Sequence, residues 1–507
     1  MTQDIWSPTP RQVRWLLLAA LLPFLLIVVA TWSEPPAATD GDYAHYLLHA
    51  KAIAEGRAFE DIGYIYTRMN LVGPSLQPPG WPLVLAPFVA VFGTSLDMAK
   101  ALVTLLVAAF GIATGIYFVR RGQPIVGIAA TTAAPVALMA QYANSSALSD
   151  PLFCFLVWMM LLVADAEGPF GWRQAVALGV LSLAVLSVRV AGLAVLPALL
   201  LFAWFRQRDG RWKLLAPLAA VAVAFLLVLW IGFDRIPFHD RIANGLRNFS
   251  FAKLASTYVV ALATGALYPF DVNVADDFYH LVAAIPMVIG LVVFARRQYR
   301  SALACFTLAY ICVLLVAPVH EPRYAWPLIP LVMAWVTIGL LWLGTRYAPA
   351  GLRADWPKFV LTFVGVVAIG ASIHVARRPA RWSFYGDPDT MALFDWARTA
   401  GDSSGMRIVF TNPRVLTLET GVPSMGIPNG EAEDVLAEMD RQRITHVVIP
   451  LEHVERSSER KFREYVEARP AQFPEVFANE TYDVRRFIAR SPSTAPDSGP
   501  FAVTRQK

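Results

Sequence analysis

Residues Gln174 to Phe205 read QAVALGVLSLAVLSVRVAGLAVLPALLLFAWF, an apolar run whose sole charge is Arg189. At about 1.5 Å per residue it is long for one crossing of about 30 Å of hydrocarbon and short for two. It forms either one long helix or a tight hairpin of two short ones, and the choice inverts the sidedness of everything downstream. A hairpin leaves Arg173 and the basic group Arg206, Arg208, Arg211 and Lys213 on one side, as the positive-inside rule requires, whereas a single span places four of those five charges outside. Charge therefore predicts a hairpin.

Working outward, apolar runs long enough to span recur near 97–119, 123–142, 213–233, 279–295, 301–317, 325–345 and 358–376. The first run, Trp15 to Ala30, follows Arg11 and Arg14 without a small-residue cleavage site and reads as a retained helix. Trp81 to Phe92 reaches only about 18 Å and is expected to lie at the interface or dip in. With Pro151 to Ala164 as a short span the expected count is eleven. Arg120, Arg121, Arg296, Arg297, Arg300, Arg346, Arg353 and Lys358 then all fall inside and the C-terminus outside.

Composition agrees with a polytopic α-helical membrane protein. Of 507 residues 56% are hydrophobic and 16% charged, which excludes soluble globular, disordered, collagenous and disulfide-scaffold classes. The net charge of +5 bears on orientation and does not point to nucleic acid. An excess of arginine over lysine accords with a GC-rich bacterial coding sequence. Cys154, Cys305 and Cys312 lie in apolar runs and read as small core residues.

The expected domains are a transmembrane part over 1–376, with external loops 32–80 and 234–278, an extracytoplasmic α/β domain over 377–490, and a disordered tail over 491–507. In the second domain, strand-like runs (Arg407 to Thr411, Thr445 to Pro450, Tyr482 to Ile488) alternate with helical ones (Asp389 to Ala400, Glu431 to Arg443, Ser458 to Ala468). No internal repeat is visible, so the inverted-repeat pattern of many transporters is missing.

The first loop carries the chemistry. Apolar residues at 43, 46, 47, 50, 53 and 54 make one face of a helix lying along the membrane, opened by Asp40 or Asp42 and closed by Gly56. Either aspartate also suits a capping role. Tyr64, Tyr66 and Arg68 follow, then Pro74, Pro78, Pro79, Gly80 and Pro82, which make a stiff entry into the short helix beginning at Trp81.

This loop resembles that of the GT-C membrane glycosyltransferases, which include the protein O-mannosyltransferases, the lipid A aminoarabinose transferases and related bacterial proteins. Asp42, Tyr46, Ala50 and Gly56 fall on an Asp-x-x-x-Tyr-x-x-x-Ala-x-x-x-x-x-Gly pattern, followed by Pro78-Pro79-Gly80-Trp81-Pro82 and Phe92-Gly93. The family often has an acidic residue after the aspartate; Tyr43 stands there, leaving Asp40 as a possible second carboxylate. Asn144 to Pro151 is similar to the family's second external turn, Ser187 to Leu193 to its Thr-Arg-x-x-Gly hairpin, and His320 to Pro327 to its Arg-Tyr-x-x-Pro turn.

The resemblance implies an inverting transfer of a sugar from a polyprenyl-phosphate donor to a hydroxyl or amine of a lipid, glycan or protein acceptor outside a bacterial inner membrane. A phosphate leaving group needs cations and no acid; the acceptor needs a base. Asp42 is then the expected base, and Arg68, Arg189 and Arg323 the expected phosphate cradle, with Tyr46, Tyr66, Glu321 and Tyr324 as further substrate contacts. Arg189 alternatively pairs with Asp150 or Glu321, and Arg323 with Glu321. His45, His49, His280, His320 and Glu321 match no metal-ligand spacing, so no metal or other cofactor is expected. A transporter or flippase, and a polymerase or ligase, of lipid-linked glycans are the competing functions.

Overall fold

A computed structural model describes residues 8–35, 41–67, 78–142, 148–167, 170–205, 276–316, 322–378, 383–401, 405–428, 430–451 and 457–489, with short pieces of helix between 215 and 223. The expected span 213–233, most of the second external loop, the basic group after Phe205, and the tail 491–507 lie largely or wholly outside these residues. The chain divides into two compact units. One comprises Met1–Ile62 with Ser75–Ser383, the other Gly63–Pro74 with Phe384–Lys507.

The first unit is helical and multi-pass in composition. Its chain begins with α1 (Pro10–Ala19) and α2 (Leu22–Thr31), which together form one 22-residue apolar span. Thr9 caps α1 in a reciprocal box with Gln12, and Pro10 supplies the fixed φ of a first turn. Then follow α3 (Asp42–Ala54), α4 (Gly80–Phe92), α5 (Leu96–Arg120), α6 (Pro124–Tyr142) and α7 (Asp150–Ala164). The order continues with α8 (Trp172–Val188), α9 (Val195–Phe205), α10 (Asp276–Gln298), α11 (Ala302–Val316), α12 (Ile329–Tyr347) and α13 (Trp356–Ala376).

Against the expected eleven spans, four helices among the described residues are both long and apolar enough to cross: Pro10–Thr31, Leu96–Arg120, Arg323–Tyr347 and Trp356–Ala376. Several other apolar helices are shorter, and α11, expected as a full span over 301–317, has 15 residues, about 22 Å. Large apolar side chains face outward on these helices, Leu22, Val29, Leu105 and Val180 among them, as on a surface solvated by hydrocarbon. Cys154 and Cys305 are buried, but Cys312 is exposed. It shares its helix face with the exposed Leu308 and Ile311, so its apolar run reflects an outward surface and not a core position.

The run at 174–205 breaks where its charge lies. Arg189 is extended (φ −149°, ψ 144°), and a 3-10 turn over Val190–Ala194 folds the chain back. A Cβ on Gly192 would lie 2.8 Å from the carbonyl oxygen of Val185 in the last turn of α8, so only glycine permits this return. The other correction concerns α3. Its burial is not confined to the expected apolar face: Tyr43, Ala44, His45, Tyr46, Leu47, Leu48, His49, Ala50 and Ala52 are all buried, and the helix packs on α4. The His45 and His49 rings stack at 4.7 Å, and His49 stacks on Phe59 at 4.0 Å, which turns the polar stripe inward.

Helix α7 joins two polar clusters at its two ends. Asp165, just past its C-terminus, pairs with Arg121 at 2.7 Å, accepts from the Tyr117 hydroxyl at 2.6 Å and from the Ala302 amide at 3.0 Å. Arg121 also donates to Gln298 at 3.2 Å. The ends of α5, α7 and α10 and the start of α11 thus meet at one end of the unit, while Asp150 stands at the other end of α7, about 22 Å away.

The second unit is an α/β sheet of six strands in the order β1-β3-β2-β4-β6-β5. The strands are β1 (Tyr64–Ile65), β2 (Ile408–Phe410), β3 (Ser424–Gly426), β4 (His446–Pro450), β5 (Glu475–Ala478) and β6 (Tyr482–Arg486). The first four in the order are parallel, and β6 and β5 antiparallel. Helices Pro388–Gly401, Ala432–Arg441 and Ser457–Glu467 fall where helical runs were expected. One core contains Val409, Met425, Val447, Phe473 and Phe487. A separate aromatic group joins Phe384, Phe394, Phe410 and Tyr482. The sequence reading assigned no strand to Tyr64–Ile65, yet the first loop contributes this edge.

Helices α10 and α12 cross backbone to backbone. A Cβ on Gly290 would lie 1.7 Å from the Trp335 carbonyl oxygen, and one on Gly339 1.8 Å from that of Pro286. Gly339→Ala therefore forces the helices apart and should destabilise the unit by about 1–3 kcal/mol. Gly365→Ala, with nothing within 4 Å, is the control and should be neutral or better. Thermal unfolding in detergent checks both; equal melting temperatures for the two variants would contradict the close crossing.

Candidate active site

Four chain segments far apart in sequence bring charged side chains to one end of the helical unit. The N-cap of α3 is Gly41, which has no side chain, and Asp42 opens the first helical turn. Its Oδ2 accepts from Nη2 of Arg323 at 3.0 Å. The carboxylate is thus committed to an ion pair 281 residues away. Arg323 belongs to a 3-10 segment, Pro322–Leu328, that leads into α12. Two buried side chains hold this segment by its carbonyls: Tyr310 of α11 donates to Tyr324 O at 2.7 Å, and Trp158 of α7 donates to Pro327 O at 3.1 Å.

Arg189, at the break after α8, forms an ion pair with Asp150 at the head of α7. Asp150 is 2% exposed and the Arg189 side chain 13%, so both charges are largely withdrawn from water and depend on each other. The two ion pairs converge on one ring. The Arg189 guanidinium lies 5.1 Å from the centre of the Tyr324 ring and that of Arg323 lies 6.0 Å from it. Asp42 and Arg323 keep about a fifth of their side-chain surface open, so this pair is the more open of the two, while Arg189 keeps 13%.

Tyr46, one turn along α3 from Asp42, shares a hydrogen bond of 2.9 Å with Ser149, the N-cap of α7. Burial pushes its phenol above the ordinary value, opposed by Arg189, so the hydroxyl stays protonated and able to donate. Gly80 explains the Pro-Pro-Gly motif. A Cβ there would lie 2.5 Å from Ser187 Oγ and 2.7 Å from its carbonyl oxygen, two residues before Arg189. The motif sets a close approach of α4 to the end of α8, beyond the stiffness its prolines suggest.

Of the residues singled out from sequence, Asp42, Tyr46, Arg189, Arg323 and Tyr324 are thus gathered. Asp40, Arg68 and Glu321 lie outside the described residues, as do His320 and most of the turn before Asp150. Tyr66 follows β1 in the sheet unit and is exposed. Arg189 takes the first of its two expected alternatives, Asp150, and Arg323 pairs with Asp42; its expected alternative, Glu321, lies outside the described residues. Ser149, Trp158 and Tyr310 were not anticipated: a serine in a turn and aromatics inside apolar runs carry no signal of their contacts. Among the described residues no group of three His, Cys, Asp or Glu side chains is placed to hold a metal ion.

No family model matches the chain, and no curated protein sequence matches it. Solved structures do. ArnT from Cupriavidus metallidurans bound to undecaprenyl phosphate superposes with a TM-score of 0.54 at 14% identity, covering 94% of this chain and 98% of that one. The oligosaccharyltransferase of Archaeoglobus fulgidus tethered with an acceptor peptide superposes with a TM-score of 0.56 at 12% identity, covering 91% and 72%. The archaeal oligosaccharyltransferase AglB in complex with an inhibitory peptide and a dolichol-phosphate gives 0.53 at 11%. The chain shares the fold of these proteins; in it a polytopic helical unit is followed by a mixed β-sheet domain.

Removing one partner of the buried pair should be more damaging than removing both. Asp150→Asn or Arg189→Met each leaves a charge without its counterion and should cost about 3–5 kcal/mol, whereas the double variant Asp150→Leu with Arg189→Met should recover most of it. Thermal unfolding of the three purified variants checks this; a double variant as unstable as the sum of the singles would contradict the coupling.

Proposed function

We propose that this chain is an inverting membrane glycosyltransferase that moves a sugar from a polyprenyl phosphate to a hydroxyl or amine of a lipid, glycan or protein acceptor on the extracytoplasmic face. The observation that carries the proposal is the meeting of Asp42, Arg189 and Arg323 around Tyr324, in a fold shared with proteins captured with undecaprenyl and dolichol phosphates. A carboxylate beside two guanidiniums is what the reaction needs. The acceptor oxygen attacks the anomeric carbon from the face opposite the phosphate; its proton passes to Asp42. The bond from carbon to phosphate oxygen breaks with its electron pair, and the departing phosphate gains a negative charge that Arg189 and Arg323 hold.

The ion pair supplies an order of events. Arg323 holds Asp42 in the absence of donor, and a phosphate competes for the same guanidinium. Once the phosphate takes Arg323, the Asp42 carboxylate is released toward the acceptor, so the base becomes available when the leaving group is in place. Tyr46 and Tyr324 complete the wall of this site; Asp40, Tyr66, Arg68 and Glu321 are assigned as further contacts from the loops. Charge on the leaving phosphate is met by arginine, and we assign no metal or other cofactor.

The orientation proposed is a cytoplasmic N-terminus, eleven spans and residues after Arg377 outside, in a bacterial inner membrane. Supporting this, the basic ends at Arg120–Arg121 and Arg296–Arg300 gather with Asp165 at the end of α7 opposite Asp150. Protease added to intact spheroplasts should remove the sheet domain; its full protection would overturn the orientation.

Asp42→Asn keeps the size and one acceptor oxygen but cannot take a proton. Transfer of radiolabelled sugar should fall by about a hundredfold or more, with donor binding largely kept. Asp40→Asn should be milder. Arg323→Lys should recover only part of the loss seen in Arg323→Ala, because an ammonium does not reproduce the guanidinium fork. Wild-type turnover in Asp42→Asn and Asp40→Asn would rule out the mechanism.

A further inference from the structure

Away from the Asp42 cluster, helices α5, α7 and α8 enclose a groove of about 680 Å³. Its walls are apolar, formed by Ala109, Ile112 and Ile116 of α5 and by Phe155, Met159 and Leu162 of α7, and Arg120 and Arg173 line one end. Ala109 to Arg120 is eleven residues, about 16 Å along α5. That is half of the roughly 30 Å of hydrocarbon in a bilayer, the depth of one leaflet. The groove therefore ends near the middle of the membrane and opens at its basic edge.

The two arginines at that edge differ from their neighbour. Arg121 is taken by Asp165 at 2.7 Å. Arg120 and Arg173 are exposed, and neither is ion-paired with a described residue. Trp172, 69% exposed beside Arg173, stands at the level where tryptophan meets lipid headgroups. Gln174 closes the end between α7 and α8 by donating to the Val163 carbonyl at 2.5 Å. A slot one leaflet deep with two available guanidiniums at its mouth has the dimensions of an acyl chain and the charge of a phosphate diester's complement.

We infer that this groove is a binding site for an anionic glycerophospholipid of the leaflet facing the basic loops, with one acyl chain against α5 and α7 and the phosphate between Arg120 and Arg173. The inference rests on the charge and depth of the groove and is independent of the glycosyl-transfer reading. By bracing α5 against α7, the lipid steadies the helix that carries Asp150 at its far end.

Native mass spectrometry of the full chain in neutral detergent, titrated with dioleoylphosphatidylglycerol or dioleoylphosphatidylcholine, tests it. Phosphatidylglycerol should bind more tightly than phosphatidylcholine. Arg120→Gln with Arg173→Gln should weaken phosphatidylglycerol about twenty-five-fold, roughly fivefold per arginine, and phosphatidylcholine, whose phosphate is offset by its choline, by much less. Ala109→Trp, which fills the apolar end, should weaken both lipids. Equal affinity for the two lipids, or unchanged phosphatidylglycerol binding in the double arginine variant, would overturn the site. Displacement of phosphatidylglycerol by equimolar decaprenyl phosphate would reassign the groove to a polyprenyl chain and overturn the proposal as well. Asp42→Asn should keep the wild-type lipid affinity whether or not it transfers sugar, so the two readings fail separately.

Discussion

The ion pair between Asp42 and Arg323 is the constraint on which the site depends. It joins the head of the first loop's helix to the 3-10 segment before α12, 281 residues away. Tyr46 on Ser149 anchors α3 to α7, and Trp158 and Tyr310 fix the segment that carries Arg323. Take away these supports and the carboxylate and guanidinium have no reason to meet. With them in place, the two charges face each other while keeping a fifth of their surface open, a geometry suited to exchange of partners.

The second pair works differently. Arg189 and Asp150 are nearly dry, and an intramembrane charge without a counterion costs several kcal/mol, so the pair is a fixed element around which the mobile chemistry is arranged. Three local features make it possible. The helix breaks at Arg189, Gly192 lets the chain return along α8, and Gly80 lets α4 approach Ser187. Both guanidiniums lie within about 6 Å of the centre of the Tyr324 ring, so one ring reports on both pairs.

Much of this was legible in the sequence, and the gaps have physical causes. The break at Arg189 followed from charge bias, and β2, β4, β6 and the helices Pro388–Gly401, Ala432–Arg441 and Ser457–Glu467 fall on runs read from periodicity, whereas β3 and β5 were not anticipated. The strand Tyr64–Ile65 has two residues and no period to show. The apolar pattern of α3 marks one face of the helix, and nothing in one dimension reveals that its other side is covered too, with His45, His49 and Phe59 stacked. Asp42, Tyr46, Arg189, Arg323 and Tyr324 stood out by type and setting, but the pairing of Asp42 with Arg323, 281 residues apart, is a property of the fold. Ser149, Trp158 and Tyr310 act through single hydrogen bonds that any helix could carry unnoticed.

The central claim is that donor phosphate and Asp42 compete for Arg323. A structure of the full chain in nanodiscs with decaprenyl phosphate tests it most directly. The account predicts a phosphate within hydrogen-bond distance of both Arg189 and Arg323, with the Asp42 carboxylate parted from Arg323 and open to the acceptor side. A phosphate bound elsewhere, with the 3.0 Å pair between Asp42 and Arg323 intact, would contradict it.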